Sequence, residues 1–359
     1  MEVEGAPGRL STSDDMRDLL VAALTGGVND PSSRFRVRQY VPALRSHGVI
    51  LEDHVARFGR YPPAAHSRRM PWGVARLAEA TGQALASRKA DITIIQREML
   101  STLMTAEPLT RHPRVFDVDD AIWMSSRFGS ADAIARRCDV VICGNDFLAE
   151  HFSGIAPHIE VVPTAVDTER WVPIVRAAMP ELRIGWTGTS GNLRYLRLIT
   201  PSIREALNAV PRAKFVVMSD RPPRFDGFPE DRVEYLQWSP GTEVQFAQSL
   251  TVGLMPLTDG EWERGKCAYK MLLYLACGVP AIVSPVGANA LVLNRGNDHS
   301  VGIAASTTQQ WTDAMVALLT DSSLGSELGH NGRELVDSTY SIRAIAPQLA
   351  AVLGRLGRA

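Results

Sequence analysis

The sequence has 359 residues, of which 45% are hydrophobic and 21% are charged, and its formal net charge is −1. This composition argues against a disordered or membrane-embedded chain, and the length predicts two domains. Proteins that bind nucleic acid usually carry a strong basic excess, so no nucleic-acid partner is expected.

The cysteines and the N-terminus indicate the compartment. Cys138, Cys143, Cys267 and Cys277 lie in apolar runs without C-x-x-C spacing, which predicts reduced core thiols and no metal site. No apolar run approaches the about 20 residues of a membrane-spanning helix. The first 15 residues are acidic and lack the apolar core of a signal peptide. We therefore expect a cytoplasmic protein without a transmembrane segment, and a flexible N-terminus over 1–15.

The first half of the chain alternates short apolar runs with amphipathic stretches. Helical spacing of apolar residues predicts helices at 34–46 and 73–87. The predicted strands are 18–25, 48–53, 91–98, 114–120, 139–145 and 159–167. Strands that alternate with helices predict βαβ units and a parallel sheet, here in an N-terminal domain over 16–176.

The same alternation restarts after a segment that contains Pro173 and Pro180. The strands predicted there are 182–188, 214–220, 233–238, 252–257, 281–285 and 301–305. They predict a second doubly wound domain over 177–340, followed by one amphipathic helix within 341–359. Open α/β sheets bind ligands at the carboxyl ends of their strands, so functional residues are expected there.

Two lysines open an apolar segment late in the second domain. If one helix covers 264–276, Lys266 and Lys270 lie four residues apart on one stripe. Cations at a helix N-terminus oppose the macrodipole, which is acceptable where an anion such as a diphosphate binds. The alternative is a solvated lysine face.

A glycine-containing loop follows the first strand of the second domain in the run IGWTGTSGNLRYL (184–196). Gly188, Thr189 and Asn192 precede a predicted helix whose first turn carries Arg194. Loop amides in this position can hold phosphate, although the loop lacks both the G-x-G-x-x-G pattern and a P-loop lysine. A turn needed only for chain geometry is an equal alternative.

Three carboxylates end the predicted strand at 114–120, in the run FDVDDAIW (116–123). Asp120 is expected to cap the next helix, whereas Asp119 is a candidate for contacts with sugar hydroxyls. Arg34, Arg36 and Arg38 follow the predicted N-cap of the first helix, which is Ser32 or Ser33. These arginines either bind substrate or pair with the acidic strand ends. Arg34, Arg36 and Glu98 are assigned to an acceptor side.

These runs, together with VVICGNDFLAEHF (140–152), VVPTAVDTERW (161–171), residues 252–289 and LGHNGRELVDSTYS (328–341), resemble the family 4-like glycosyltransferases, the glycosyl transferases of group 1. The resemblance extends from about Leu19 onward and is most specific over 252–289. It implies an α/β protein of GT-B fold: two Rossmann-like doubly wound domains facing a cleft, with a C-terminal helix that crosses back to the first domain.

The resemblance also implies site roles. Gly188, Thr189, Asn192 and Arg194 face the diphosphate of the donor, and Lys266 and Lys270 meet the diphosphate and the nucleoside. Gly287 and Asn289 lie beside the donor sugar. Asp119 lies where many members have a histidine, and it is assigned with Lys270 to catalysis.

The sequence departs from the family at one point. Many members carry two glutamates, eight residues apart, before the A-C-G-x-P block, and the corresponding positions here hold Gly265 and Leu273. Glu261 and Glu263 are near but out of register, so either of them replaces the missing pair or the donor is held differently.

The sequence therefore predicts a retaining, metal-independent glycosyltransferase. Its co-substrate would be a UDP-, GDP- or dTDP-sugar, its acceptor a small or lipid-linked molecule, and it would need no cofactor. Two alternatives stay open: a catalytically silent binding subunit, suggested by the missing glutamates, and a nucleotide-sugar epimerase on the same fold.

Overall fold

The computed structural model describes residues 17–174, 181–225, 227–296 and 299–358. The predicted N-terminal segment 1–15 and the predicted domain boundary at 176/177 lie outside these residues, so both stay predictions. The described residues form two six-stranded sheets, and all strand pairs in both sheets are parallel.

The first sheet has the order β2-β1-β3-β4-β5-β6. Its strands are β1 (Leu19–Thr25), β2 (Val49–Val55), β3 (Ile92–Gln96), β4 (Arg114–Val118), β5 (Val140–Cys143) and β6 (Ile159–Val161). The helices between them are α1 (Pro31–Arg36), α2 (Val41–Arg45), α3 (Arg69–Ala86), α4 (Ser130–Ala135) and α5 (Asp146–Phe152). The central strands are buried on both faces, which explains their continuous apolar runs.

The second sheet has the order β12-β11-β10-β7-β8-β9. Its strands are β7 (Leu182–Thr187), β8 (Ala213–Ser219), β9 (Val233–Gln237), β10 (Val252–Met255), β11 (Ala281–Val283) and β12 (Ile303–Ala304). The remaining helices are α6 (Leu193–Leu198), α7 (Thr200–Ala209), α8 (Glu243–Gln248), α9 (Glu261–Arg264), α10 (Tyr269–Ala276), α11 (Ala288–Asn294), α12 (Thr308–Thr320), α13 (Ser322–Leu335) and α14 (Ile342–Gly357). The chain reverses direction across the sheet between β7 and β10, which places a crevice at their carboxyl ends.

The last helix packs on the first sheet, far from its neighbours in sequence. Ile345, Leu349 and Leu353 of α14 are buried in one cluster with Val21 and Ile92 of the first sheet. Ser341 caps this helix by accepting a hydrogen bond from the Ala344 amide. Helix α14 therefore joins the end of the chain to its first half.

The helix predicted at 34–46 is wrong as a single element. Helix α1 ends at Arg36, a short 3-10 turn follows, and α2 starts at Val41, immediately before Pro42. The cap of α1 is Asp30, whose carboxylate accepts from the Ser32 amide at 3.1 Å, so Ser32 and Ser33 are not caps. Ser33 instead accepts from the Gly26 amide and donates to Gln96.

Candidate functional site

A cavity of about 470 Å³ lies at the carboxyl ends of strands from both sheets. From the second sheet it is lined by residues at the ends of β7, β8, β9 and β10, including Thr187, Asp220, Trp238 and Met255. Residues after β1 and β4 of the first sheet complete it. A cavity of this size suits a small-molecule ligand, and it opens where the order of the second sheet reverses.

The two lysines line this cavity, but not from one helix. The helix predicted over 264–276 is wrong: α9 ends at Arg264, and α10 starts at Tyr269. Ala268 between them has left-handed backbone angles, φ 53° and ψ 16°. Lys266 therefore lies in the connection and Lys270 in the first turn of α10, and the bend still directs both side chains into the cavity.

The cations that line the cavity are Arg34, Lys266 and Lys270. Arg34 and Lys266 pair with carboxylates, whereas Lys270 has no carboxylate partner within the described part of the chain. Its Nζ lies 5.9 Å from the centre of the Trp186 ring. Burial, and then the nearby charge of Lys266, lower the pKa of Lys270 to about 8, while Asp120 opposes the shift. Lys266 pairs with Asp120 at 3.4 Å. An anion at this position would remove the unfavourable electrostatics of Lys270.

The loop after β7 lies against the same lysine. A Cβ added to Gly188 would be 3.0 Å from Cε of Lys270 and 2.7 Å from the Trp186 ring, so the absence of a side chain lets the lysine stem cross the backbone. Thr189 and Asn192 are joined by a side-chain hydrogen bond of 3.1 Å, and both line the cavity. The turn is held by Asp220, which accepts from the Ser190 hydroxyl at 3.0 Å and from its amide.

Asp119 lines the cavity from the first domain. Burial favours its neutral form, but the Arg97 guanidinium, 2.6 Å away, outweighs burial and keeps the pKa of Asp119 below its ordinary value. Asp120 is not a helix cap: the following 3-10 turn (Ile122–Met124) has no side-chain cap, and the Asp120 carboxylate pairs with Arg97 and Lys266. The wall is thus an alternating set of carboxylates and cations.

The structure brings most of the donor-side candidates together. Of the residues assigned a role from the sequence, those that line the cavity are Arg34, Asp119, Gly188, Thr189, Asn192, Lys266 and Lys270. Those that do not line it are Arg36, Glu98, Arg194, Gly287 and Asn289. The roles of all of them stay predictions.

Each residue outside the cavity has a local partner. Arg36 is buried and bound to Asp117 at 2.6 Å, as the alternative of pairing with the acidic strand ends anticipated. Glu98 accepts hydrogen bonds from Ser126 and Ser130 beside a separate small cavity. Arg194 donates to the Tyr195 hydroxyl at 2.6 Å.

Gly287 and Asn289 also face other parts of the protein. A Cβ on Gly287 would be 2.8 Å from the Arg264 carbonyl oxygen. Asn289 is buried and donates to the Ser284 carbonyl at 3.0 Å. Both residues therefore stabilise the chain around α9 and β11 in this structure.

Of the two positions that lack the family glutamates, packing accounts for Gly265. Leu273 lines the cavity, and Gly265 lies so close to Ala121 that a Cβ would be 2.8 Å from its Cβ and its amide nitrogen. Glu263 is buried and accepts from the Tyr195 hydroxyl, and it lies 3.5 Å from Arg194. Neither Glu261 nor Glu263 lines the cavity in this structure.

Several lining residues had no assigned role. Asp220 and Trp238 follow β8 and β9, and their place at strand ends was a usable signal. No sequence signal indicated Glu243, because its partners Arg34 and Arg170 are distant in sequence. The Tyr269 ring packs against Phe35 with ring centres 4.0 Å apart and a tilt of 37°. Its hydroxyl is buried and has no hydrogen-bond partner among the described residues.

Neither a metal-binding cluster nor a membrane-spanning helix is present among the described residues. In the described part of the chain, no three His, Cys, Asp or Glu side chains are grouped so as to hold a metal ion. No helix among the described residues is long and apolar enough to cross a bilayer.

Comparisons with known proteins agree with this architecture. Residues 182–321 match the family described as Glycosyl transferases group 1. Sucrose-phosphate synthase from Thermosynechococcus elongatus has 14% identity and a TM-score of 0.67, covering 94% of this chain and 99% of its own. HepE of Anabaena, in complex with UDP and glucose, has 11% identity and a TM-score of 0.68 with the same coverage.

WaaG, a glycosyltransferase involved in lipopolysaccharide biosynthesis, has 13% identity and a TM-score of 0.64, covering 93% of this chain and 99% of its own. No protein of curated function matches the sequence. At these identities the likeness to the solved structures is one of fold. The expected GT-B fold is confirmed over nearly the whole chain.

Proposed function

We propose that this GT-B chain, whose second domain matches the group 1 glycosyl transferases, moves a sugar from a nucleotide-sugar donor to an acceptor hydroxyl. The observation that carries the proposal is Lys270, an unpaired and partly buried cation beside Lys266 and Gly188. Such a cation is stabilised by an anion, and a diphosphate placed there would also reach the loop that contains Thr189 and Asn192.

The charge that develops in the reaction fits this arrangement. When the anomeric C–O bond of the donor breaks, its electron pair stays on the diphosphate, whose negative charge increases. Cations that are already in position stabilise this charge more than that of the intact donor. Lys270 and Lys266 would supply this stabilisation without a metal ion.

We further propose retention of configuration. Each of the four carboxylates that line the cavity is already held: Asp119 by Arg97, Asp120 by Arg97 and Lys266, Asp220 by Ser190, and Glu243 by Arg34 and Arg170. None is therefore a free base for an attacking hydroxyl. In front-face transfer the acceptor oxygen bonds to the anomeric carbon on the side that the leaving group vacates, and its proton passes to the departing phosphate oxygen.

Both domains line the cavity, and the donor-side and acceptor-side assignments follow this division. The diphosphate would bind the second domain, and the acceptor would approach past Asp119 and Arg34 of the first. HepE was solved with UDP and with UDP-glucose, so UDP-sugars are the first donors to test here, followed by GDP- and dTDP-sugars. Among the described residues, none of the four cysteines forms a disulfide bond, which is consistent with a cytoplasmic site of action.

Titration calorimetry with UDP, GDP, ADP and dTDP tests the proposal. We expect at least one to bind, and Lys270→Ala to weaken its binding about tenfold or more, because a hydrogen bond to a charged group contributes about 1.5–3 kcal/mol. The matching nucleoside should bind both proteins equally. Lys214→Ala is the control, since Lys214 pairs with Glu181 at the start of β8, away from the cavity.

Two results would contradict the proposal. If none of the four diphosphates binds, the donor assignment fails. If a diphosphate binds but the nucleotide sugar is neither transferred nor slowly hydrolysed, the chain is the silent binding subunit that the missing glutamates suggested. Conversion of the donor alone into a different sugar nucleotide would instead identify an epimerase.

A further inference from the structure

Large apolar side chains are exposed beyond the carboxyl ends of strands in the first sheet. Phe128 is 95% exposed and Met70 is 80% exposed, and Phe58, Tyr61 and Met124 are each about half exposed. These five residues, here called the rim, lie in the segments that follow the carboxyl ends of β2 and β4. A contiguous group of this kind on a folded protein marks an interaction surface more often than scattered single residues do.

Hydrogen bonds join the segments of the rim into one surface. The Trp72 indole donates to the Phe58 carbonyl at 2.8 Å, which ties the start of α3 to the loop after β2. The Ser101 amide donates to the Arg60 carbonyl at 3.0 Å, and the Arg127 amide donates to Thr102 at 2.9 Å. The loops after β2, β3 and β4 are therefore neighbours.

Helix α3 extends the apolar surface. Val74 and Leu77 are 69% and 48% exposed, and with Met70 they have the i, i+4, i+7 spacing of one helical face. The adjoining face carries the buried residues Arg76, Ala80 and Ala84, which pack on the first domain. The exposed face thus lacks a partner within the described part of the chain.

The backbone at the rim is strained without a gain from burial. Phe128 has φ 54° and Thr102 has φ 69°, both in the left-handed region. That conformation is unfavourable for a residue with a side chain. Because the Phe128 ring is almost fully exposed, burial in the free protein does not offset this cost, which points to a second body that covers the ring.

The segment that carries Phe58, Tyr61 and Met70 is rich in arginine. From His54 to Ala78 the sequence contains five arginines and no aspartate or glutamate. Arg60 and Arg76 are buried and paired with Asp30 and Glu79. Arg57, Arg68 and Arg69 are exposed and, among the described residues, form no ion pair; the same holds for Arg127 next to Phe128.

We propose that the rim and α3 dock on an anionic phospholipid bilayer. The exposed arginines would contact headgroup phosphates, while Met70, Val74 and Phe128 enter the boundary between headgroups and acyl chains. A uniformly negative surface matches several unpaired arginines of one sign. Docking there would bring the first domain, where we place the acceptor, to the membrane surface.

Vesicle flotation tests the proposal without any donor, so its outcome is independent of the function proposed above. The full chain is mixed with vesicles of phosphatidylcholine alone or of phosphatidylcholine with phosphatidylglycerol. We expect binding only to the anionic vesicles, and weaker binding at high salt. Each of Arg68→Ala and Arg69→Ala should lower the partition coefficient about fivefold, and Met70→Ser with Phe128→Ser should lower it about tenfold or more.

Leu198→Ser is the matched control, because Leu198 of the second domain is 54% exposed, like Phe58 at 53%. All variants should keep the wild-type melting temperature and nucleoside diphosphate affinity, which shows that they are folded. The proposal is overturned if anionic vesicles do not bind the protein, or if the Met70 and Phe128 variant floats as the Leu198 variant does. It is also overturned if the wild type is a dimer that the Met70 and Phe128 substitutions dissociate.

Discussion

Lys270 and Asp119 both line the cavity, but their electrostatic situations are opposite. Burial and Lys266 lower the pKa of Lys270 to about 8, whereas Arg97 keeps Asp119 ionised. Lys270 is thus a cation that gains from binding an anion, and Asp119 is a carboxylate whose charge is already partly neutralised. Two predictions follow from this difference.

Nucleoside diphosphate binding should weaken with rising pH. In the free protein Lys270 loses its proton around pH 8, and a bound diphosphate raises its pKa again because it stabilises the cation. Binding therefore takes up a proton, and affinity should fall about tenfold between pH 7 and 9. Calorimetry in buffers of different ionisation enthalpy measures this uptake. Lys270→Arg, which stays charged, should give a flat profile, and a wild-type affinity that is constant from pH 7 to 9 would refute the prediction.

Asp119→Asn should lower turnover more than nucleotide affinity. A carboxylate beside the reacting sugar stabilises the positive charge that develops at the anomeric carbon, so its loss should reduce kcat about a hundredfold. The proposed diphosphate site is formed by the second domain, so the diphosphate Kd should change little. Steady-state kinetics and calorimetry on the same preparation separate the two effects. Asp313→Asn, on the exposed face of α12, is the control; equal loss of affinity and turnover would argue for a structural role.

At the scale of elements, the break between α9 and α10 determines where the lysines point. Asn145, the cap of α5, donates to the carbonyls of Arg264, Gly265 and Lys266 at 3.4, 3.1 and 3.1 Å. In a continuous helix those carbonyls would accept bonds from later residues of the same helix. Bonds from the first domain therefore replace helical bonds of the second.

Gly265→Ala should destabilise the protein through this contact. The added Cβ would lie 2.8 Å from the Ala121 backbone and cannot be accommodated by side-chain rotation alone. Overpacking of this kind costs about 1–3 kcal/mol, and Lys266 should shift with it, so diphosphate affinity should fall as well. Gly325→Ala in α13 is the matched control, because its Cβ meets nothing within 4 Å. If chemical denaturation shows equal stability for both variants, the contact is not tight in solution.

At the scale of the whole molecule, the two sheets are joined by a second set of contacts across the cavity. Glu243 is buried at the start of α8, and it accepts from Arg34 of the first domain at 3.1 Å and from Arg170 at 2.9 Å. Arg34 also lies over the Trp238 ring, 5.4 Å from its centre. These contacts hold the domains in the arrangement that encloses the cavity.

Glu243→Gln should loosen that arrangement. Removing the charge leaves Arg34 and Arg170 without their shared carboxylate, so the domains should open more often and the radius of gyration from small-angle X-ray scattering should increase. Glu181→Gln is the control, because Glu181 pairs with Lys214 and Arg183 inside the second domain. Identical scattering from the Glu243 variant and the wild type would show that this ion pair does not hold the domains together.

The sequence predicted the features that depend on local pattern. Alternating strands and helices were enough to predict two parallel sheets, and strands such as β1 and β8 start within one residue of their predicted positions. The positions of predicted strand ends also indicated residues that line the cavity: Gly188 follows β7, and Asp119 follows β4. These features need only hydrophobic periodicity and the rule that parallel strands end at one edge.

Features that depend on distant partners could not be predicted in this way. Apolar spacing favoured one helix over 264–276, but hydrogen bonds from Asn145, more than 100 residues earlier, divide it at Ala268. Asp120 has the sequence context of a helix cap, but its carboxylate forms ion pairs with Lys266 and Arg97. In both cases a polar group binds a partner that is distant in sequence instead of one within its own segment, and that partner is available only once the chain has folded.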